Sequence, residues 1–143
     1  MDNVLEYIKN IMGNPMEESQ VKMMNPLVLA YIGDTINDLL VRTYLIMTSN
    51  VTVHNLHYQA INFVSAGAQA HILEGILERL TEDEKNIVRR GRNAKAGTIP
   101  KNADIGEYRY ATGFEALLGY LYLTGQTDRL MEIGGWILTG GHG

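Results

Sequence analysis

Apolar residues recur at helical spacing along nearly the whole chain, and no segment shows the alternating pattern of a β-strand bounded by turns. The clearest run begins at Asn25-Pro26, a favoured cap followed by a favoured first helical residue, and continues to Met47. A chain of 143 residues suits one domain with one core. The sequence therefore predicts a single all-α domain over 1–143, in which 137–143 form a frayed tail.

Further helices are predicted on both sides of this central one. Residues 91–104 have no apolar period and predict a loop. The remaining segments show helical periodicity or cap signals, and they are 2–12, 17–23, Val53 to Leu80, the Thr81-to-Gly91 segment opened by a capping box, a helix ending at Leu123, and a last helix capped by Thr127 or Asp128.

Composition removes several classes of protein. The chain has no cysteine, which excludes disulfides, thiolate metal sites and cysteine nucleophiles. Mean hydropathy is −0.10, and no stretch approaches the roughly 20 apolar residues that span a bilayer. The first residues carry acids where a secretion signal needs a basic start. We therefore expect a cytoplasmic protein without a membrane anchor.

Charge is distributed unevenly along the chain. The net charge is −4, yet the segment from Lys85 to Arg109 has seven of the twelve basic residues and only two acids. A positive segment on an acidic body is typical of a phosphate-contacting surface, although a solvated charge run paired with acids elsewhere explains the pattern equally well. The candidate phosphate-binding residues in this segment are Arg89, Arg90, Arg92, Lys95, Lys101 and Arg109.

Two acids interrupt strongly apolar helices. Asp34 follows LVLAYIG in the central helix, and Glu115 lies within GFEALLGYLYL. We expect both to be buried, and a buried carboxylate must be protonated, hydrogen-bonded or paired with a cation. Each acid alone is explained by an arginine or by backbone donors. Together they predict a shared metal site if their helices pack against each other, and Asp38, one turn after Asp34, is a further candidate for that site.

The expected metal is Mg²⁺. A pair of carboxylates suits this cation, which keeps several waters and accepts one or two protein carboxylates together with substrate phosphate oxygens. Zinc is a weaker candidate, because His54 and His57 have no third ligand at a recognisable spacing. No Walker loop, dinucleotide-binding glycine motif or nucleophile elbow is present in the sequence.

Two motifs resemble those of a known family. Leu27–Thr35 (LVLAYIGDT) is similar to the signature helix of ribonuclease III domains, and Phe114–Gly119 (FEALLG) is similar to their second acidic helix. The Arg90–Lys95 and Tyr108–Tyr110 segments between them resemble the short branch of the family called Mini-ribonuclease III. The likeness extends over residues 22–135 and implies an all-α ribonuclease III-type endonuclease domain without an appended double-stranded-RNA-binding domain.

The resemblance implies a specific activity. It assigns Asp34 and Glu115 as catalytic metal ligands of a Mg²⁺-dependent endoribonuclease that cuts double-stranded RNA and leaves 5′-phosphate ends. It also points to maturation of the large-subunit (23S) ribosomal RNA precursor, with a ribosomal protein as a candidate partner. Three positions that are acidic in larger relatives hold Leu27, Ala30 and Thr112 here, so a catalytically weak or silent RNA-binding, ribosome-associated module remains the alternative.

The central helix also predicts self-association. Its apolar residues occupy too much of the circumference for a single buried face. A twofold homodimer would bury the surplus and would present two active sites to the two strands of a duplex, as the resemblance also implies. The alternative is that the amino-terminal helix of the same chain covers this face.

Overall fold

The protein was analysed as a computed structural model, which describes residues 7, 8, 10, 11, 13, 16–48, 52–94, 99 and 101–140. From residue 16 onward, the described residues form seven α-helices and one short 3₁₀ turn, Leu77–Arg79. The helices are α1 (Glu18–Lys22), α2 (Pro26–Thr48), α3 (Val53–Val64), α4 (Ala66–Ile76), α5 (Glu82–Asn93), α6 (Ile105–Leu123) and α7 (Thr127–Leu138). No strand occurs in these ranges, which confirms the all-α prediction.

Two long helices, α2 and α6, cross at unusually short distance in the centre of the fold. A Cβ added to Gly33 of α2 would lie 1.7 Å from the carbonyl oxygen of Glu115, and one added to Gly119 of α6 would lie 2.0 Å from that of Leu29. Glycine at both positions therefore lets the two backbones touch. This contact fixes the rotation of each helix about its axis, and with it the direction of the side chains beside the crossing.

The opposite side of α6 packs on α5 through a second glycine pair. A Cβ on Gly91 would lie 2.8 Å from the Cα of Gly113. Held between α2 and α5, α6 is the most buried helix, and Phe114, Leu117 and Leu118 have no exposed surface. Burial of a large apolar side chain contributes roughly 1.5–3 kcal/mol. The high density of apolar residues in α6 therefore reflects a central position.

The prediction of one long helix from Val53 to Leu80 is wrong. The chain turns at Ser65, whose φ and ψ of −64° and 155° are extended. Its hydroxyl accepts a hydrogen bond from the backbone N–H of Ala68 at 3.2 Å and so caps the start of α4. A serine side chain competes for backbone partners in this way, which ends one helix and begins the next without any break in the apolar pattern.

Other boundaries match the prediction closely. The side chain of Asn25 accepts from the N–H of Leu27 at 2.9 Å at the start of α2, and the predicted capping box between Thr81 and Glu84 is present. The start of α7 differs, because its N-cap is Gln126, which makes no side-chain cap bond.

The ends of the chain differ in part from expectation. Ile137 is fully buried and belongs to α7, so the tail begins later than the predicted 137–143. Most of the helix predicted over 2–12 lies outside the described residues. Among the helices that are described, none combines the length and the apolar character needed to cross a membrane.

Candidate active site

The crossing of α2 and α6 brings the two predicted acids together. Gly33 touches the backbone of Glu115, and Asp34 is the residue after Gly33. The side chains of Asp34 and Glu115 therefore start from neighbouring positions at the crossing. The two carboxyl groups are close enough for Asp34 to raise the pKa of Glu115. The structure therefore unites Asp34 and Glu115, which the sequence separates by two predicted helices and a loop.

Burial and like charge raise the pKa of Glu115 to about 8. Desolvation is the largest cause, followed by the hydrogen bond and the charge of Asp34, with a smaller effect from Asp38; the amide of Gln69 acts in the opposite direction. The pKa of Asp38 is also raised, by burial and then by Asp34, against the opposing charge of Arg42. Repelling carboxylates at one point favour the binding of a cation.

The expectation that both acids are buried is wrong for Asp34 and holds only in part for Glu115. Glu115 is half-buried, whereas Asp34 is exposed. The reason is the 100° rotation per helical residue, which turns Gly33, Ile36 and Asn37 into the core and leaves Asp34 at its edge. The pair thus has one anchored acid and one that faces solvent.

The donor set fits a hard divalent cation with few protein ligands. Ala30 has no side-chain oxygen and Thr112 has only a neutral hydroxyl, which donates to the carbonyl of Tyr108 at 3.0 Å, so neither adds a carboxylate to the pair. Within the described ranges, no group of three or more histidines, aspartates or glutamates is arranged to hold a metal ion. Mg²⁺ tolerates this, since it retains waters beside one or two carboxylates.

Gln69 is a site residue that the sequence analysis missed. It lies on α4 with 1% of its surface exposed, and its Nε2 donates to Oε2 of Glu115 at 3.5 Å. A signal was present, because Gln69 occupies a position on the buried stripe that continues as Ile72, Leu73 and Ile76. A polar residue on an apolar stripe requires a partner inside the fold.

The candidate RNA-binding residues fall into two groups. Arg90 donates to the carbonyl oxygens of Lys22 and, at 3.0 Å, Met24, and so caps the carboxyl end of α1. Arg92 donates to the Tyr110 hydroxyl at 3.3 Å, with its guanidinium 5.5 Å from the centre of that ring. These two arginines therefore have roles within the fold.

The other candidates are more available for binding. Lys101 and Arg109 are exposed, as is Arg89, which contacts Asn86 on its own helix. Lys95 lies outside the described residues. The exposed part of the predicted basic surface thus consists of residues at the end of α5 and around the start of α6.

An apolar groove of about 370 Å³ lies between α2 and α3, and its lining includes Asp38, one helical turn after Asp34. Asp38 and Arg42 form part of its wall, and Ile46, Val53 and Ile61 line it with exposed apolar surface. Tyr31 and Leu39 add exposed apolar area on α2. Surface of this kind is typical of an interface with another protein chain.

Comparison with known proteins shows the class to which this arrangement belongs. The family model described as Ribonuclease III domain matches residues 27–126, which include both acids. The Mini-ribonuclease 3 of Thermoanaerobacter sp. is 50% identical over 113 residues, covering 79% of this chain and 80% of the relative. That of Clostridium tetani is 46% identical over 126 residues, covering 87% and 83%.

A solved structure agrees with these sequence comparisons. A crystal structure of a protein from Fusobacterium nucleatum is similar with a TM-score of 0.75 and 29% identity, covering 84% of this chain and 96% of that one. The chain belongs to the ribonuclease III family, and with it to the metal-dependent endoribonucleases. The expected fold class and enzyme class are both confirmed.

Proposed function

We propose that the protein is a Mg²⁺-dependent endoribonuclease that cleaves double-stranded RNA at a site formed by Asp34 and Glu115. The observation that carries this proposal is the backbone contact of Gly33 with Glu115 at the α2–α6 crossing, which sets Asp34 beside Glu115, and the pKa of Glu115 is accordingly raised to about 8. The family acts on double-stranded RNA. Phosphodiester hydrolysis of this kind uses a divalent cation, and a pair of neighbouring carboxylates can hold that cation.

The two acids have different tasks in the proposed reaction. Glu115 is held by the core and fixes the position of the site, whereas exposed Asp34 faces the side from which a phosphate approaches. When bound, the cation lowers the pKa of a water and neutralises charge on the scissile phosphate. Hydrolysis forms a phosphorus–oxygen bond to water and breaks the bond to the 3′ oxygen. The products are 5′-phosphate and 3′-hydroxyl ends.

Binding of the duplex is assigned to the exposed residues Arg89, Lys101 and Arg109, together with Lys95, and Arg92 is left out because it bonds to Tyr110 within the fold. A-form RNA presents a wide, shallow minor groove, so this surface reads shape, phosphates and 2′-hydroxyls with modest sequence preference. Arg90 is left out of the proposed surface, because its guanidinium is engaged with two carbonyl oxygens of the fold.

A homodimer is the proposed active form. The exposed apolar residues of α2 and the groove beside α3 provide an apolar surface next to Asp38 that a second copy of the chain would cover. Two sites related by a twofold axis then face the two strands of one duplex. Light scattering at micromolar concentration should give about twice the 16.0 kDa of one chain, and a monomer that makes both cuts would exclude this arrangement.

The proposed biological role is maturation of the 23S ribosomal RNA precursor in the cytoplasm, with a ribosomal protein as a candidate partner. The relatives named Mini-ribonuclease 3 support the assignment to ribonucleases of the short branch. The specific RNA is proposed from the resemblance of the two acidic motifs.

Cleavage of a long RNA duplex tests the central proposal. The wild-type chain should cut with Mg²⁺ and not with EDTA. Asp34→Asn and Glu115→Gln should each reduce cleavage by roughly a thousandfold, since a lost ligand removes several kcal/mol of transition-state stabilisation. Both variants keep the side-chain volume and should still fold and bind the duplex. Wild-type turnover in either variant removes that acid from the site, and a wild-type chain that binds but does not cut is the silent RNA-binding module.

A further inference from the structure

Gln69 is anchored at the junction between α3 and α4. Its backbone N–H donates to the carbonyl of Ser65 at 3.0 Å, and its side-chain Nε2 reaches back to the carbonyl of Val64 at 3.2 Å. Val64 is the last residue of α3, where carbonyl groups lack intrahelical partners. The turn at Ser65 thus fixes one hydrogen of the Gln69 amide, which leaves the side chain little rotational freedom.

The same amide nitrogen is directed at the acidic pair. Its second contact is Oε2 of Glu115 on α6, at 3.5 Å. This distance is long, as hydrogen bonds at catalytic sites often are before ligands bind. Because the amide is tied to Val64, its donor stays on one side of the Glu115 carboxylate and restrains that group's terminal torsion. Gln69 therefore connects the Ser65 junction to the acid that anchors the site.

Packing alone does not account for an amide at this position. Ile72, Leu73 and Ile76 continue the same stripe into the core, so an apolar side chain would suit it. The Oε1 atom of Gln69 is buried and has no hydrogen-bond partner within the described part of the chain. A buried polar atom without a partner costs roughly 1–3 kcal/mol. Among the described residues, the one side-chain bond that this amide makes beyond the α3–α4 junction is to Glu115, which points to a role in the site.

We propose that Gln69 is a positioning residue that orients the Glu115 carboxylate toward Asp34 and thereby strengthens binding of the divalent cation. The inference rests on the proposed function, since it takes Asp34 and Glu115 as the ligands. Groups that hydrogen-bond to a metal ligand typically change metal affinity by about 10- to 100-fold when removed. Gln69 reaches Glu115 from α4, a helix that supplies no acid to the pair.

The test measures Mn²⁺ binding to the full chain without RNA, by electron paramagnetic resonance, at a temperature where each variant is folded. Gln69→Met keeps an unbranched side chain that suits the apolar stripe, and it removes the donor. It should raise the Mn²⁺ Kd about tenfold or more. Asn37→Leu is the matched control, because Asn37 is also fully buried on a central helix and its amide atoms contact no partner among the described residues. That variant should keep the wild-type Kd within twofold.

A second measurement needs no variant of Gln69. The ¹H–¹⁵N signals of the Gln69 side-chain amide should shift with Mg²⁺ saturation in the wild-type chain and stay unchanged in Asp34→Asn. Equal Mn²⁺ affinity in Gln69→Met and wild type, or an amide signal that does not respond to Mg²⁺ saturation, overturns the role of Gln69 alone. Failure of the wild-type chain to bind Mn²⁺, or undiminished binding by Asp34→Asn, overturns the proposed metal site and this inference with it.

Discussion

Two glutamates with little solvent exposure have opposite surroundings in this fold. Glu84, 3% exposed, accepts hydrogen bonds from Arg129 at 2.7 and 2.9 Å and from the backbone N–H of Thr81 at 2.9 Å. Burial alone would raise its pKa, but the bonds from Arg129 and Thr81 outweigh burial and hold the pKa below the ordinary value. This carboxylate joins α5 to α7 as a charged, fully partnered group.

Glu115 has acids where Glu84 has an arginine. Its neighbours Asp34 and Asp38 add to the effect of burial, and only the Gln69 amide opposes them in raising the pKa to about 8. In the described part of the chain, no ion pair involves Glu115. The difference separates an acid that stabilises the fold from an acid that, under the proposed function, pairs with a cation supplied from solution.

Exchanging charge for an amide at each glutamate should give the largest contrast. Glu84→Gln leaves the Arg129 guanidinium without its counter-charge and should cost about 3 kcal/mol of unfolding free energy, as broken buried ion pairs do. Without metal, Glu115→Gln should instead have an unfolding free energy equal to or higher than that of the wild type. Denaturant unfolding measures both effects. Cleavage per folded molecule should survive in Glu84→Gln and vanish in Glu115→Gln, and the reverse pattern would refute the division of roles.

The pH dependence of stability should differ for the two acids. Glu115 binds its proton more tightly in the folded than in the unfolded state, so metal-free stability should fall by about 4 kcal/mol as pH rises from 4.5 to 8. Glu84 has the opposite shift, and its stabilisation is lost as pH falls through its lowered pKa. When thermal unfolding is measured across this pH range, Glu115→Gln should not show the fall in stability toward pH 8. If the fall in stability is unchanged in that variant, a titratable group other than Glu115 causes it.

The same contrast applies to the basic residues. Arg90→Ala should lower stability by about 1.5 kcal/mol, because two carbonyl oxygens lose a charged donor. It should leave the salt dependence of duplex binding unchanged. The double replacement Lys101→Ala and Arg109→Ala should keep stability and reduce the salt slope by about one unit for each phosphate that is no longer neutralised. Filter binding over a salt series measures the slope, and a reduced slope in Arg90→Ala would return Arg90 to the RNA surface.

The sequence predicts much of this fold because local signals and packing agree in most places. The cap at Asn25, the capping box at Thr81 and the apolar run of α6 each specify an element that the structure contains. The turn at Ser65 escaped prediction because the apolar period continues across it, and only the extended ψ of one residue separates two helices.

The sequence predicts only those site residues that lie within the two motifs. The resemblance of two motifs joined Asp34 to Glu115, and the structure brings them together. The motifs could not show that Gln69 approaches Glu115 from α4, or that Arg90 caps a helix 68 residues earlier in the chain. Those partners depend on how helices cross, and no local pattern encodes them.

The Mg²⁺-induced change in melting temperature tests the central claim most directly, when measured on wild type, Glu115→Gln and Glu84→Gln at the same pH. A ligand that binds only the folded state stabilises it by about 2.7 kcal/mol at a hundred times its Kd. The account predicts that Mg²⁺ raises the melting temperature of wild type and of the weaker Glu84→Gln by similar amounts, and that of Glu115→Gln hardly at all. An equal Mg²⁺ shift in Glu115→Gln and wild type would contradict the claim that Glu115 is the acid awaiting a cation.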